Sequence, residues 1–270
     1  MIYQTSSVLT VKRMGDQLLA EATMLSTDHE AVGWMHLADV RTFAIKEAGW
    51  EILRAPGKTK IDQGTIPQMV GVEAYFDAGR ELKKFLPDEE HELGRELLAD
   101  CIRGIIQAET YLFHERGYES AQSYDAFWDK MYVDSCLYYS NLDKIEKPWM
   151  AYAAIEMRRH VLFNRCRNCE VREGENGHLL AQGSFIDSFH ELAVHLEVDC
   201  AGVIMSADGE FRRAPDKICL DNPKNLALLI GNNIITMGKK DIAGYTGGAM
   251  GCHHLVDLLF DVAKAVNAAR

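Results

Sequence analysis

The chain has 270 residues, 47% of them hydrophobic and 26% charged, with a formal net charge of −11. That size supports one large or two modest domains with a sizeable core, and the acidic balance, with no basic cluster, argues against a nucleic-acid partner. No apolar stretch approaches the roughly 20 residues of a membrane span, and the start, MIYQTSSVLTVKRMGDQ, lacks the pattern of a signal peptide, so a cytoplasmic protein without a membrane partner is expected.

The segment from Leu18 to Pro56, LLAEATMLSTDHEAVGWMHLADVRTFAIKEAGWEILRAP, recurs from Leu179 to Pro215 as LLAQGSFIDSFHELAVHLEVDCAGVIMSADGEFRRAP. Both carry Leu-Leu-Ala, then His-Glu, then His-Leu, then Glu-x-x-Arg-Ala-Pro, with a two-residue offset placed between His-Glu and His-Leu. The likeness continues with Gly71 matched to Gly231, Gly79 to Gly238 and Gly94 to Gly251. This predicts an internal duplication. Each half reads as α+β, an antiparallel β-meander followed by helices. The expected organisation is a degenerate repeat over 1–112, a helical connector over 113–160 and a second repeat over 161–270, related by a pseudo-two-fold.

Within the connector, SYDAFWDKMYVDSCLYYSNLD spaces aromatics helically, with Tyr124, Phe127, Tyr132, Tyr138 and Tyr139 read as core or interface. Cys166-Arg-Asn-Cys169 follows and is expected to precede a strand, which suits a redox motif poorly; it is a second metal-binding candidate, half of a zinc ribbon or a partner of Cys252, and its role is left open. Three strands over NGHLLAQGSFID, HELAVHLEVD and GVIMSADGEFRRA come next. A short helix over PKNLALLIGNNI, with Pro223 near its start, then leads to a glycine-rich loop and a closing helix.

Seven cysteines, an odd number, argue against a disulfide framework and leave apolar fillers, metal ligands or nucleophiles. Four metal-capable residues lie at the ends of elements in the second half: His190, Cys219, Cys252 and His254. Two sulfurs and two imidazoles suit tetrahedral Zn²⁺. The first half matches His190 with His29 but places Lys60 near Cys219, Arg95 at Cys252 and Leu97 at His254, so it has lost three of the four groups. The same residues have plainer readings, His190 as a turn residue and Cys219 as a buried filler. Cys252 at a helix mouth is expected to be held as a thiolate by the helix dipole. His253 and His254 diverge by about 100° on a helix, so one of them at most shares the task of Cys252. Gly248 and Gly251 would let the loop approach a cofactor or cradle an anion.

Metal binding is therefore the leading expectation, with hydrolase or lyase chemistry if water takes one coordination position and Glu191 acts as general base. Two alternatives stand beside it. One is a metal-free thiol enzyme using Cys252 with His254 or His190 as base. The other is a non-enzymatic module that takes a small-molecule ligand or partner in a cleft between the halves; the oligomeric state is left open.

The run HELAVHLEVDCAGVIMSADGEFRRAPDKIC, then LLIG, then GGAMGCHHLVDLL, resembles a bacterial family known as domain of unknown function 2889. The resemblance covers Cys166 to Arg270 and rests on His190, Pro215, Cys219, Gly251, Cys252, His254 and Leu255, with His253 standing where the family carries Thr. It supports the choice of site and implies no reaction. A looser resemblance, of VDCAGVIMSADGEF before a helix-start cysteine, is to iron–sulfur scaffold proteins, and it adds iron or an iron–sulfur species as the alternative to zinc.

Overall fold

Strand-period alternation dominates the start of each half, and the strands form where it does. The computed structural model describes residues 2–57, 62–87, 91–153 and 158–270. The chain divides into two compact units, one of Met1–Ser6, Asp125–Ala154 and Arg167–Arg270, the other of Ser7–Tyr124 and Ile155–Cys166. They are called here the C-unit and the N-unit. The fold is α+β with antiparallel strand pairing, as expected.

The N-unit holds most of β1 (Tyr3–Met14), then β2 (Gln17–Ser26), β3 (Glu30–Leu37), β4 (Ile45–Arg54) and β5 (Asp62–Thr65), in the order β5-β4-β3-β2-β1. Along β3 every second residue is buried, and those residues meet helix α2 (Glu92–Ala108), which follows α1 (Ala78–Phe85). A side chain at Gly33 would place its Cβ 2.6 Å from that of Leu97, so glycine lets α2 lie close on the strands. Beyond α2, the fully buried Glu109 accepts bonds from Arg116 Nε at 2.8 Å and Tyr75 Oη at 2.7 Å. Arg116 also lies 4.1 Å from the centre of the Phe43 ring.

The C-unit contains β6 (Val161–Glu173) from Arg167 onward, β7 (Leu179–Asp187), β8 (Glu191–Val198) and β9 (Ile204–Arg213), in the order β6-β7-β8-β9. A 3₁₀ run over Lys217–Leu229 follows, then α5 (Lys239–Thr246) and α6 (His253–Ala268). From the connector this unit takes the later part of α3 (Ala121–Met131) and the short α4 (Trp149–Tyr152). Helix α6 buries Leu255, Leu258, Leu259 and Val262, each contributing about 1.5–3 kcal/mol. Gly183 admits the helix, since a Cβ there would lie 2.7 Å from Val262.

Three local expectations are corrected. Cys166 and Cys169 lie inside β6 rather than before a strand, and an odd spacing puts them on opposite faces, so they cannot share one ion. Pro223 sits within the 3₁₀ run, which starts at Lys217 where Asp216 accepts the Ile218 amide at 3.1 Å. The two-residue offset falls in a loop. Leu18↔Leu37 and Leu25↔Glu30 bracket β3 just as Leu179↔Val198 and Ile186↔Glu191 bracket β8, so His36 stands at the register position of Glu197 and not of His195. A slip of two preserves strand-face parity, which is why the letter pattern fits either way. Lys60, placed near Cys219, lies outside the described residues.

Candidate metal centre

The chain turns from β7 to β8 through Asp187, Ser188, Phe189 and His190, closed by Asp187 N–H to the His190 carbonyl at 2.9 Å. Asp187 Oδ1 accepts the amides of Phe189 at 2.7 Å and His190 at 2.6 Å, the local bonding that favours Asp in turns. Arg213 fastens the corner from β9, donating to the carbonyls of Ser188 at 2.9 Å, Asp187 at 2.6 Å and His190 at 3.1 Å. Asp187 Oδ1 also stands 3.2 Å from His190 Nδ1, with both side chains buried. A carboxylate on Nδ1 orients the ring and reserves Nε2 for a ligand.

The other half of the site comes from the start of α6. Cys252 is the N-cap, its amide bonded to the Thr246 carbonyl at 2.8 Å. A Cβ on Gly251 would fall 2.1 Å from that same carbonyl oxygen, and Gly248 has φ +65°, so the loop's shape demands both glycines. The Gly251 amide is taken by the Gly248 carbonyl at 2.9 Å. With the Gly251 and Cys252 amides both turned into the loop, neither is offered to an anion. His253 is exposed, whereas His254 turns inward. Its ring packs edge-on to Phe185 and lies 3.9 Å from the His190 ring, tilted by 32°. The ring of Trp149, on α4, stands near-parallel to that of His190 with centroids 6.3 Å apart.

The donors gather closely. Asp187, His190 and His254 offer ligand atoms that all lie within 4.8 Å of one another. Cys252 Sγ is 3.8 Å from His254 Nδ1. A tetrahedral zinc with ordinary Zn–S and Zn–N bonds separates a sulfur and a nitrogen ligand by about 3.6 Å, so this pair is spaced to share an ion. Cys219 is buried in the 3₁₀ run, close enough to Cys252 to oppose its ionisation. Burial pushes the Cys252 thiol up to about 12, overriding the help of the Leu255 and His254 amides. Burial likewise raises Cys219 to about 12. The expectation of a standing thiolate at the helix mouth is therefore reversed: desolvation outweighs the helix end. A cation placed beside the sulfur would offset that cost of burial.

Glu191 is not brought to this group. It opens β8 on the face opposite the buried Leu192, and its carboxylate lies 3.7 Å from Arg212. His190 and Cys252 both approach His254, whereas Cys219 is not among the donors gathered within 4.8 Å. Asp187 is the residue that sequence reasoning missed. Its signal was an Asp three places before a histidine at a strand end, which reads equally well as turn chemistry.

Residues 164–267, within the second half of the chain, match the family described as "Protein of unknown function (DUF2889)". No curated protein and no solved structure matches the chain.

Proposed function

We propose that the second half of the chain is a metal-binding domain, with Zn²⁺ as the favoured ion and iron as the alternative. The group is Cys252 and His254 at the start of α6, joined by His190 and Cys219 from neighbouring elements, with Asp187 holding the His190 ring. The observation that carries this reading is the gathering of the Asp187, His190 and His254 donor atoms within 4.8 Å, with Cys252 Sγ 3.8 Å from His254 Nδ1. Nitrogen and sulfur donors in a buried, shaped site suit zinc or iron better than calcium or magnesium. Burial of Cys252 disfavours the metal-free thiol reading, because a neutral thiol is a poor nucleophile. With Glu191 turned away, the reading is metal binding rather than a named reaction.

We also propose that the first half is a diverged copy. Three parallels support this. The β2–β3 and β7–β8 pairs share one register. Gly71 and Gly231 both have positive φ and donate to Ile45 at 2.8 Å and Ile204 at 2.9 Å respectively. Arg54 fastens the Ser26–His29 corner as Arg213 fastens Asp187–His190.

Zinc competition against a chromophoric chelator tests the metal reading. The expected result is one tight site per chain, lost in His254→Ala and in Cys252→Ala. Absence of binding by the wild-type protein, or undiminished binding by both variants, overturns it.

A further inference from the structure

The connector covers this centre from outside. The Leu137 amide donates to the Gly251 carbonyl at 2.9 Å, which fixes its near end to the loop before Cys252. Farther along, the Glu146 amide donates to Asp216 Oδ2 at 2.6 Å, at the start of the 3₁₀ run. At its far end Tyr152 Oη donates to the Phe189 carbonyl, on the corner that carries His190. Between these ties, Glu146, Lys147 and Pro148 are exposed. Trp149 turns the other way: its ring meets that of Phe189 edge-on with centroids 4.7 Å apart and stands near-parallel to that of His190. The next residue, Met150, is buried, and its amide donates to Asp125 Oδ1 at 3.0 Å. Residues 145–152 thus have solvent on one side and the donor residues on the other.

We infer that residues 145–152 are a strap that gates the donor group, with Trp149 as its latch on His190. The ties at Glu146, Met150 and Tyr152 each join a side chain to the backbone, and none belongs to a strand ladder. The segment can therefore lift while the β7–β8 corner and α6 keep their own bonds. His190 is only 7% exposed with the latch in place. An ion or a reagent reaches its imidazole when the strap lifts, and a bound ion leaves by the same movement. What passes the gate rests on the metal-binding reading, to which the strap adds control of access. Trp149 is a positioning residue here, since it holds the His190 ring from one face while Asp187 holds Nδ1.

Carbethoxylation by diethylpyrocarbonate, mapped by mass spectrometry on the metal-free protein, tests the gate. Trp149→Ala is expected to speed modification of His190 about tenfold, the rate effect of losing one aromatic contact. The exposed His253 should react equally in variant and wild type, and Trp149→Phe should restore most of the protection. Iodoacetamide labelling of the buried Cys101 reports global opening and is expected to stay unchanged. Should Trp149→Ala not fold, Tyr152→Phe, which deletes only the tie to Phe189, is expected to give the same selective acceleration to a smaller extent. His190 rates equal to wild type in the folded variants, or an acceleration that Cys101 follows, overturn the gate. With Zn²⁺ bound, Trp149→Ala should release the ion to a chelator faster at unchanged stoichiometry. Failure of the wild type to take up Zn²⁺ overturns the metal reading, and the His190 labelling then decides the gate by itself.

Discussion

Two corners of this chain share a backbone and differ in chemistry. In the N-unit, Ser26 to His29 close through Ser26 N–H to the His29 carbonyl at 2.8 Å, and Arg54 fastens the carbonyls of Ser26, Thr27 and His29. In the C-unit, Asp187 to His190 close at 2.9 Å, and Arg213 fastens the corresponding carbonyls. The acid differs. Asp28 sits on the turn beside a part-exposed His29, whereas Asp187 lies under a buried His190. The helix starts differ too. Arg95 reaches the Leu86 carbonyl at 2.6 Å and Leu97 packs under Gly33, where the other unit has Cys252 and His254. The repeated His-Glu is thus corner chemistry in both units, and what sets the second corner apart is the set of groups that do not repeat around His190: Asp187, Cys252 and His254.

Four expected outcomes sharpen that contrast. The largest concerns buried charge in the N-unit. Arg116→Ala strands the fully buried Glu109, which should cost about 3–5 kcal/mol in urea unfolding while leaving metal stoichiometry unchanged. Loss of metal in that variant would show that the units are not chemically separate.

Next come the two helix-start glycines. Gly251→Ala drives a Cβ into the backbone oxygen of Thr246, and Gly94→Ala drives one to 2.7 Å from the Trp50 ring. Each should cost about 2–3 kcal/mol, but only Gly251→Ala, by moving Cys252, should weaken zinc binding in a chelator competition.

The paired arginines follow. Arg54→Ala and Arg213→Ala each remove a clamp of backbone carbonyls, worth about 1–2 kcal/mol. Arg213→Ala should also weaken zinc binding about tenfold, because it loosens the corner that orients His190. An equal loss of affinity in Arg54→Ala would break the comparison.

The smallest effect is in the connector. Asp125 has its carboxyl raised to about 6 by burial, against the pull of the Met150 amide, with Asp129 adding to the rise. Its folded value exceeds its unfolded one, so the folded state holds the extra proton between the two. Stability from this group therefore falls as pH rises from about 4 to about 6. Asp125→Asn should raise stability at pH 7 by about 1 kcal/mol after allowing for solvent screening, with the gain vanishing below pH 4 in thermal melts.

The strands were legible because their alternation is local, and the closing helix because its apolar spacing and its glycines are local too. Cys252 and His254 stood out by comparing halves, and His190 by its place at a strand start. What could not be read is what depends on which segments meet. Cys166 and Cys169 look like ligands by spacing, yet a strand turns them apart. The Leu137–Gly251 backbone bond, which ties the connector to the loop before the closing helix, has no local signature at all. The thiolate expected at Cys252 failed for a similar reason, since burial is a tertiary quantity and outweighs the helix end.

The most direct test is element-resolved metal analysis of untagged protein, wild type beside His254→Ala and His29→Ala. The account predicts about one zinc or iron per chain, kept in His29→Ala and lost in His254→Ala. No metal in the wild type, or equal loss in both variants, would contradict it.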